Sequence, residues 1–127
     1  MKCLNVVAGI LLDADDRILI AERVDAGRFH GMWEFPGGKI GTDESPEVAL
    51  LRELREELGI IVECCETFMR IDHHYEDQSV DLQFFKVRDW IGEPTGIEGQ
   101  QLRWVAPADI ELGMMLPADE PVIEALR

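Results

Sequence analysis

The stretch GGKIGTDESPEVALLRELREELGI, residues 37–60, carries the clearest structural signal in the chain. Ser45 is a favourable N-cap, Pro46 suits the first helical position, and Gly59 is typical of the residue just beyond a helix. The stretch therefore predicts a helix over Pro46–Leu58, preceded by a glycine-containing loop.

The spacing within this predicted helix separates apolar from acidic side chains. At about 3.6 residues per turn, one face gathers leucines that we expect to pack on the core. Its members are Leu51, Leu54 and Leu58, with Leu50 and Glu47 at the margins. Three acids fall on the opposite arc, with the small Ala49 among them: Glu53, Glu56 and Glu57.

Two interpretations of the acidic arc follow. Acidic helix faces are ordinarily solvated surface. The alternative is a cation site, since a hard cation such as Mg²⁺ takes several carboxylate oxygens at one point. Gly37 and Gly38 favour this alternative, because bare backbone there can approach a ligand or offer it a carbonyl.

The rest of the chain predicts strands and one closing helix. Alternating or β-rich runs are bounded by turn residues. The predicted elements are a hairpin of residues 5–12 and 17–23 around the turn 13–16, a loop at 24–32, a short strand at 33–35, extended runs at 60–75, 80–87 and 101–105, and a helix at 120–126. This order indicates one mixed-sheet α/β or α+β domain over residues 1–127.

Composition excludes several classes of partner. The 127 residues contain 26 acids and 12 bases, a formal charge of −14, which opposes direct binding to nucleic acid or anionic membrane. Neither a membrane-spanning run nor a signal peptide is recognisable, so we expect a cytoplasmic protein. The three cysteines lack metal-ligand spacing and are interpreted as reduced, small buried side chains: Cys3, Cys64 and Cys65.

A family resemblance adds to this interpretation. Gly38, five residues, Glu44, seven residues and then Arg52-Glu53-Leu54-Arg55-Glu56-Glu57-Leu58-Gly59-Ile60 resemble the Nudix box of hydrolases that cleave nucleoside diphosphates linked to another group. The runs WEFPGGK (33–39), GEP (92–94), EGQ (98–100) and PADEPVI (117–123) are further similar to the MutT branch. The resemblance implies the Nudix fold, a mixed sheet between helices.

The resemblance also implies roles for individual residues. Metal ligands would be the Gly37 carbonyl, Glu56, Glu57 and Glu98. Glu53 would be the general base, Arg52 would orient the carboxylates, and Glu44 would brace the loop or bind an outer metal. The substrate would contact Arg23, Phe35, Gly38, Lys39 and Asp119, with Asp119 at the base edge.

The implied activity is Mg²⁺-dependent hydrolysis of a nucleoside triphosphate to a monophosphate and pyrophosphate, with Mn²⁺ as a possible substitute. The implied substrate is an oxidised nucleotide such as 8-oxo-dGTP. Relatives that act on CTP and 5-methyl-dCTP carry Asp at the position of Asp119, where 8-oxo-guanine enzymes carry Asn, so a cytidine nucleotide is the alternative. An ionised Asp119 would only accept hydrogen bonds.

Three further alternatives stay open. The chain is interpreted as a catalyst, with a non-catalytic nucleotide-binding module of the same fold as the alternative. It is interpreted as a monomer, with a dimer as the alternative. Some relatives carry a second domain, so the chain is either a whole protein or the amino-terminal part of a longer one.

Overall fold

A computed structural model describes residues 2–24, 27 and 29–127. Over these residues the chain forms seven strands and two α-helices. They are β1 Lys2–Leu11, β2 Ile18–Glu22, β3 Trp33–Glu34, β4 Gly37–Lys39, α1 Pro46–Leu58, β5 Ile61–His74, β6 Gln78–Ile91, β7 Leu102–Val105 and α2 Glu120–Leu126. Short 3-10 turns at Pro107–Asp109, Leu112–Met114 and Pro117–Asp119 lead into α2.

The strands form two sheets. The larger is mixed, in the order β4-β1-β6-β5, with β1 parallel to β6 and antiparallel to β4. The smaller is antiparallel, in the order β3-β2-β7. Since β1 lies inside the larger sheet, its second half is apolar on both faces, as buried central strands are.

The predicted hairpin between β1 and β2 is wrong. These strands belong to different sheets, and the bridge between Leu12 and Ile18 is isolated. The turn itself is real, because Asp13 Oδ1 accepts from the N–H groups of Asp15 and Arg17 at 2.9 Å each. The chain therefore turns where predicted, but β2 continues into another sheet.

Helix α1 has the predicted bounds. Ser45 Oγ accepts from the Val48 N–H at 3.2 Å, and Gly59 takes the left-handed conformation, with φ of 71°. The Gly59 N–H donates to the Arg55 carbonyl and closes the last turn. These local caps set the two ends of the helix.

The predicted core face of α1 is rotated by part of a turn. Leu51 is 40% exposed, whereas Ala49, expected beside the acids on the open side, is fully buried together with Leu50, Leu54 and Leu58. The buried arc consequently reaches Glu53 and Glu57, which lie at its border rather than opposite it. Glu56 remains exposed.

The two helices cover opposite faces of the larger sheet. Val7 and Leu11 of β1 pack with the buried leucines of α1. Their neighbours Ala8 and Ile10 pack with Val122 and Ile123 of α2. Adjacent strand residues point to opposite faces, so the sheet lies between the helices and the predicted fold class is confirmed.

The cysteines are less buried than expected. The cysteines are free thiols, but Cys3 and Cys64 are exposed and Cys65 is half-buried, so the expectation of buried cysteines is wrong. They lie at strand positions that face away from the two cores or only border them.

The predicted loop at 24–32 includes residues 25, 26 and 28, which lie outside the described residues.

In the described ranges, no helix has both the length and the apolar character needed to cross a membrane.

Candidate active site

Arg52 is the centre of an ionic network at the border of α1. Its Nε and Nη2 atoms contact the two oxygens of Glu44 at 2.6 and 2.8 Å. Nη1 lies 2.9 Å from Glu53 Oε1 and 3.3 Å from Glu56 Oε2, and Nη2 also donates to the Lys39 carbonyl at 3.0 Å. One guanidinium therefore joins the helix to the loop before it.

Glu44 is held from both sides. The Arg52 guanidinium, and then the Gly41 N–H at 2.6 Å, lower the pKa of the Glu44 carboxyl to about 2. Hydrogen bonds to Glu44, and then to Glu53, raise the pKa of the Arg52 guanidinium above its usual range. The pair is ionised at all ordinary pH values and fixes the loop geometry.

The glycines before α1 place backbone against the acids. β4 pairs with β1, with Gly38 opposite Val7, and this holds the strand beside the helix. A Cβ at Gly38 would lie 2.4 Å from the Glu53 carboxylate, so a larger residue would displace that side chain. The Gly37 N–H donates to Glu57 Oε2 at 3.0 Å.

Glu57, on α1, has a raised pKa. Burial, and then the charges of Glu53 and Glu98, raise its pKa to about 8, against a lowering by the Gly37 N–H. Glu98 comes from the loop between β6 and β7, far along the sequence. The fold thus brings acids from two segments within electrostatic reach of each other.

A second acid with a raised pKa is almost fully buried. Asp119, immediately before α2, is 4% exposed, and its Oδ2 accepts from the Phe35 N–H at 3.3 Å. Burial, and then the charge of Glu34, raise its pKa to about 8. A neutral carboxyl can donate as well as accept, whereas the expectation of an acceptor only applies to ionised Asp119.

Asp119 and Glu57 line the same cavity, which has a volume of about 400 Å³. It brings together eight of the twelve predicted site residues: Arg23, Phe35, Gly37, Gly38, Lys39, Glu57, Glu98 and Asp119. The other four do not line it: Glu44, Arg52, Glu53 and Glu56. Among these, Glu53 is in contact with Gly38, whereas Glu56 is exposed on the outer side of α1.

Glu34 and Gln100 are among the lining residues that had no predicted role. Glu34 contacts Arg23 Nη1 at 3.3 Å and contributes to the raised pKa values of both Asp119 and Glu57. Gln100 lies beside Glu98. Glu34 lies between Trp33 and Phe35, which are both buried, so alternation along a strand was the signal that it faces away from them.

The acids match a hard cation by their chemistry, because every side-chain donor in the set is a carboxylate oxygen. In the described part of the chain, no three Asp, Glu, His or Cys side chains converge in an arrangement that would hold a metal ion. Arg52 holds an oxygen each of Glu53 and Glu56, and the Gly37 N–H holds one of Glu57. Cation binding would require these oxygens to reorient.

Comparisons with known proteins agree with this geometry. A profile of the NUDIX domain matches residues 7–125. The chain is 37% identical to the 8-oxo-dGTP diphosphatase of Escherichia coli over 127 residues, covering 100% of this chain and 98% of the relative. It is 38% identical to the CTP pyrophosphohydrolase of the same organism over 125 residues, covering 98% and 92%.

A solved structure gives the same result. The crystal structure of a MutT NUDIX hydrolase from Burkholderia pseudomallei superposes with a TM-score of 0.90 at 26% identity, over the full length of both chains. With the family profile matching almost the entire chain and relatives above 35% identity over nearly all of it, this protein belongs to the NUDIX family as a MutT-like hydrolase of phosphorus-containing acid anhydrides.

Proposed function

We propose that this protein hydrolyses nucleoside triphosphates to monophosphates and pyrophosphate with Mg²⁺, and that an oxidised purine nucleotide such as 8-oxo-dGTP is its preferred substrate. The observation that carries the proposal is the cavity of about 400 Å³ that buried Asp119, Glu57 and Glu98 line together. It suits a ligand with a base at one end and phosphates near a cation at the other.

The proposal gives each group of site residues a separate role. Glu57, Glu98, Glu56 and the Gly37 carbonyl would hold Mg²⁺, which would supply neutralisation of phosphate charge and polarisation of water. Glu53 would accept a proton from the attacking water, with its carboxylate held by Arg52 and placed against Gly38. Arg23 and Lys39, both lining the cavity, contact phosphate oxygens.

The base end supports an oxidised purine. At pH 7 the neutral Asp119 carboxyl presents one donor and one acceptor, much as an Asn amide does. The 8-oxo-guanine edge offers an N7–H donor beside the O6 acceptor, so both groups find partners. Unoxidised guanine has an acceptor at N7 and would leave a buried oxygen unpaired, which is where discrimination becomes large.

The test is a panel of 8-oxo-dGTP, 5-methyl-dCTP, CTP and the four ordinary dNTPs, assayed for pyrophosphate release with Mg²⁺. We expect the highest kcat/KM with 8-oxo-dGTP. Release of inorganic phosphate instead of pyrophosphate would contradict the proposed reaction, and hydrolysis of no member would favour a binding module.

A cytidine nucleotide is the second candidate, favoured by Asp119 and by the relative named CTP pyrophosphohydrolase. Competition between 8-oxo-dGTP and 5-methyl-dCTP in wild type and Asp119→Asn separates the candidates. Below pH 8 we expect the variant to change the ratio little, because neutral Asp resembles Asn. Above pH 8 the ionised wild type should turn toward the cytosine amino group. A ratio unaffected by the substitution at every pH would mean that Asp119 does not recognise the base.

A further inference from the structure

The C-terminal end of α1 is closed by the loop between β6 and β7. The last carbonyls of a helix have no partner within the helix and need donors from elsewhere. Here the Thr95 N–H donates to the Leu58 carbonyl at 3.0 Å, and the Ile97 N–H donates to the Glu57 carbonyl at 3.2 Å. The loop that carries Glu98 is thus attached to the helix turn that carries Glu57.

One side chain strengthens this attachment from within the loop. Gln100 Nε2 donates to the Glu57 carbonyl at 3.1 Å, and Gln100 Oε1 accepts from the Glu98 N–H at 2.9 Å. A single amide therefore joins the backbones of Glu57 and Glu98. Gly96 allows the loop to fold back this tightly, because a Cβ there would lie 2.1 Å from the Gln100 carbonyl oxygen.

The bridge needs both functions of an amide. A carboxylate could accept from the Glu98 N–H but could not donate to the Glu57 carbonyl, and an ammonium group could do only the reverse. Glutamine is also uncharged, so it adds no further repulsion where Glu57 and Glu98 already oppose each other. Both acids line the cavity from the two sides of this bridge.

We infer that Gln100 is a positioning residue that sets the distance between the Glu57 and Glu98 carboxylates and so tunes cation binding between them. The inference rests on the proposed metal-dependent function and assigns Gln100 no contact with the substrate's reacting atoms. If Gln100 served only to cap α1, its loss would lower stability without any dependence on Glu98.

The test measures Mn²⁺ binding by electron paramagnetic resonance, without nucleotide, so that the result does not depend on turnover. Gln100→Met removes both hydrogen bonds while keeping the length of the side chain. Gln101→Met is the matched control, because Gln101 is an exposed neighbour outside the cavity lining. Loss of a residue that orients metal ligands typically weakens metal binding by about tenfold or more, which we expect for Gln100→Met and not for Gln101→Met.

A double-mutant cycle with Glu98→Gln identifies the route of the effect. If Gln100 acts through Glu98, Gln100→Met should weaken Mn²⁺ binding by less than about twofold once Glu98 is replaced. Should Gln100→Met fail to fold, Gln100→Asn, which is too short to span both partners, replaces it throughout.

Three results would overturn the inference. If Gln100→Met weakens Mn²⁺ binding as much in the Glu98→Gln background as in the wild type, Gln100 acts independently of Glu98. Unchanged Mn²⁺ binding in Gln100→Met would mean that the bridge does not matter for the cation. Unchanged Mn²⁺ binding in Glu98→Gln would mean that Glu98 is not a ligand, which overturns the inference and removes Glu98 from the proposed metal site. A loss of binding in Glu98→Gln with none in Gln100→Met would overturn the inference alone.

Discussion

Glu53 and Glu57 stand one helical turn apart but have different surroundings. Glu53 contacts the Arg52 guanidinium and the bare backbone at Gly38. Glu57 is half-buried, accepts from the Gly37 N–H and lines the cavity. Their different surroundings fit the two roles proposed for them, proton acceptor and cation ligand.

Removing either charge should abolish most activity without unfolding the protein. Glu53→Gln and Glu57→Gln keep size and hydrogen bonding, and loss of a general base or its partner ligand typically costs about 100- to 10,000-fold in rate. We expect this fall in kcat for pyrophosphate release. The melting temperature of Glu57→Gln should be unchanged near pH 7 and higher above about pH 8, where ionised Glu57 is repelled by Glu53 and Glu98. The melting temperature of Glu53→Gln should change little, because the repulsion from Glu57 and the ion pair with Arg52 are lost together. Glu63→Gln, an exposed acid of β5, is the matched control. Full activity in both active-site variants would reject the assignment.

Asp119 should make the stability of the protein depend on pH. Its pKa rises from 3.8 to about 8 on folding, so the folded state binds the proton more tightly than the unfolded chain does. Its contribution is therefore fully present below about pH 4 and is lost as the pH rises to about 8, by about 6 kcal/mol at full effect.

Asp119→Asn isolates this term, because all other groups titrate in both proteins. Urea unfolding should show equal stability of variant and wild type near pH 4 and a growing advantage of the variant up to about pH 8. A difference independent of pH would show that Asp119 is ionised in the folded protein throughout this range.

A site residue could be predicted from the sequence when the other residues of the site lie close to it along the chain. The box residues Glu53, Glu56 and Glu57 were recognisable because they lie on one short helix. Glu98 and Asp119 came only from the family resemblance, since nothing local connects them to that helix. The protonation of Asp119 required the structure, because burial by distant segments raises its pKa.

At the scale of elements, α1 was predictable and the sheet was not. Ser45 and Gly59 fix the ends of α1 through contacts a few residues away. Strand pairing is decided by partners far along the chain, as when β1 pairs with β6 in parallel. The run of turn residues at 13–16 therefore predicted the turn at Asp13, but it could not predict which strands pair.

The rotated core face of α1 gives a test at this scale. Leu54 is fully buried, so Leu54→Ala should lower the free energy of unfolding by about 2–5 kcal/mol. Leu51 is 40% exposed, so Leu51→Ala should cost about 1 kcal/mol or less. Urea denaturation of both variants measures this, and equal losses would contradict the observed orientation of the helix.

At the scale of the whole molecule, the charge of −14 shapes cation binding. An acidic protein attracts divalent cations over its entire surface, and screening of its self-repulsion alone would stabilise it slightly. A specific site differs because it binds the folded state at defined groups. The two contributions can be separated, since screening depends on ionic strength and not on any one carboxylate.

Mg²⁺ or Mn²⁺ should therefore raise the melting temperature by linkage. At about 100 times Kd, a ligand specific for the folded state adds about 2.7 kcal/mol, which for a chain of this size corresponds to roughly 5–10 °C. Sodium chloride at matched ionic strength gives the screening contribution, and we expect it to be small. The excess over sodium chloride should shrink in Glu57→Gln and in Glu56→Gln and stay unchanged in Glu63→Gln. If the excess is absent in wild type and hydrolysis persists in EDTA, the acids of α1 do not hold a cation; if it is equal in all variants, the cation binds elsewhere on the acidic surface.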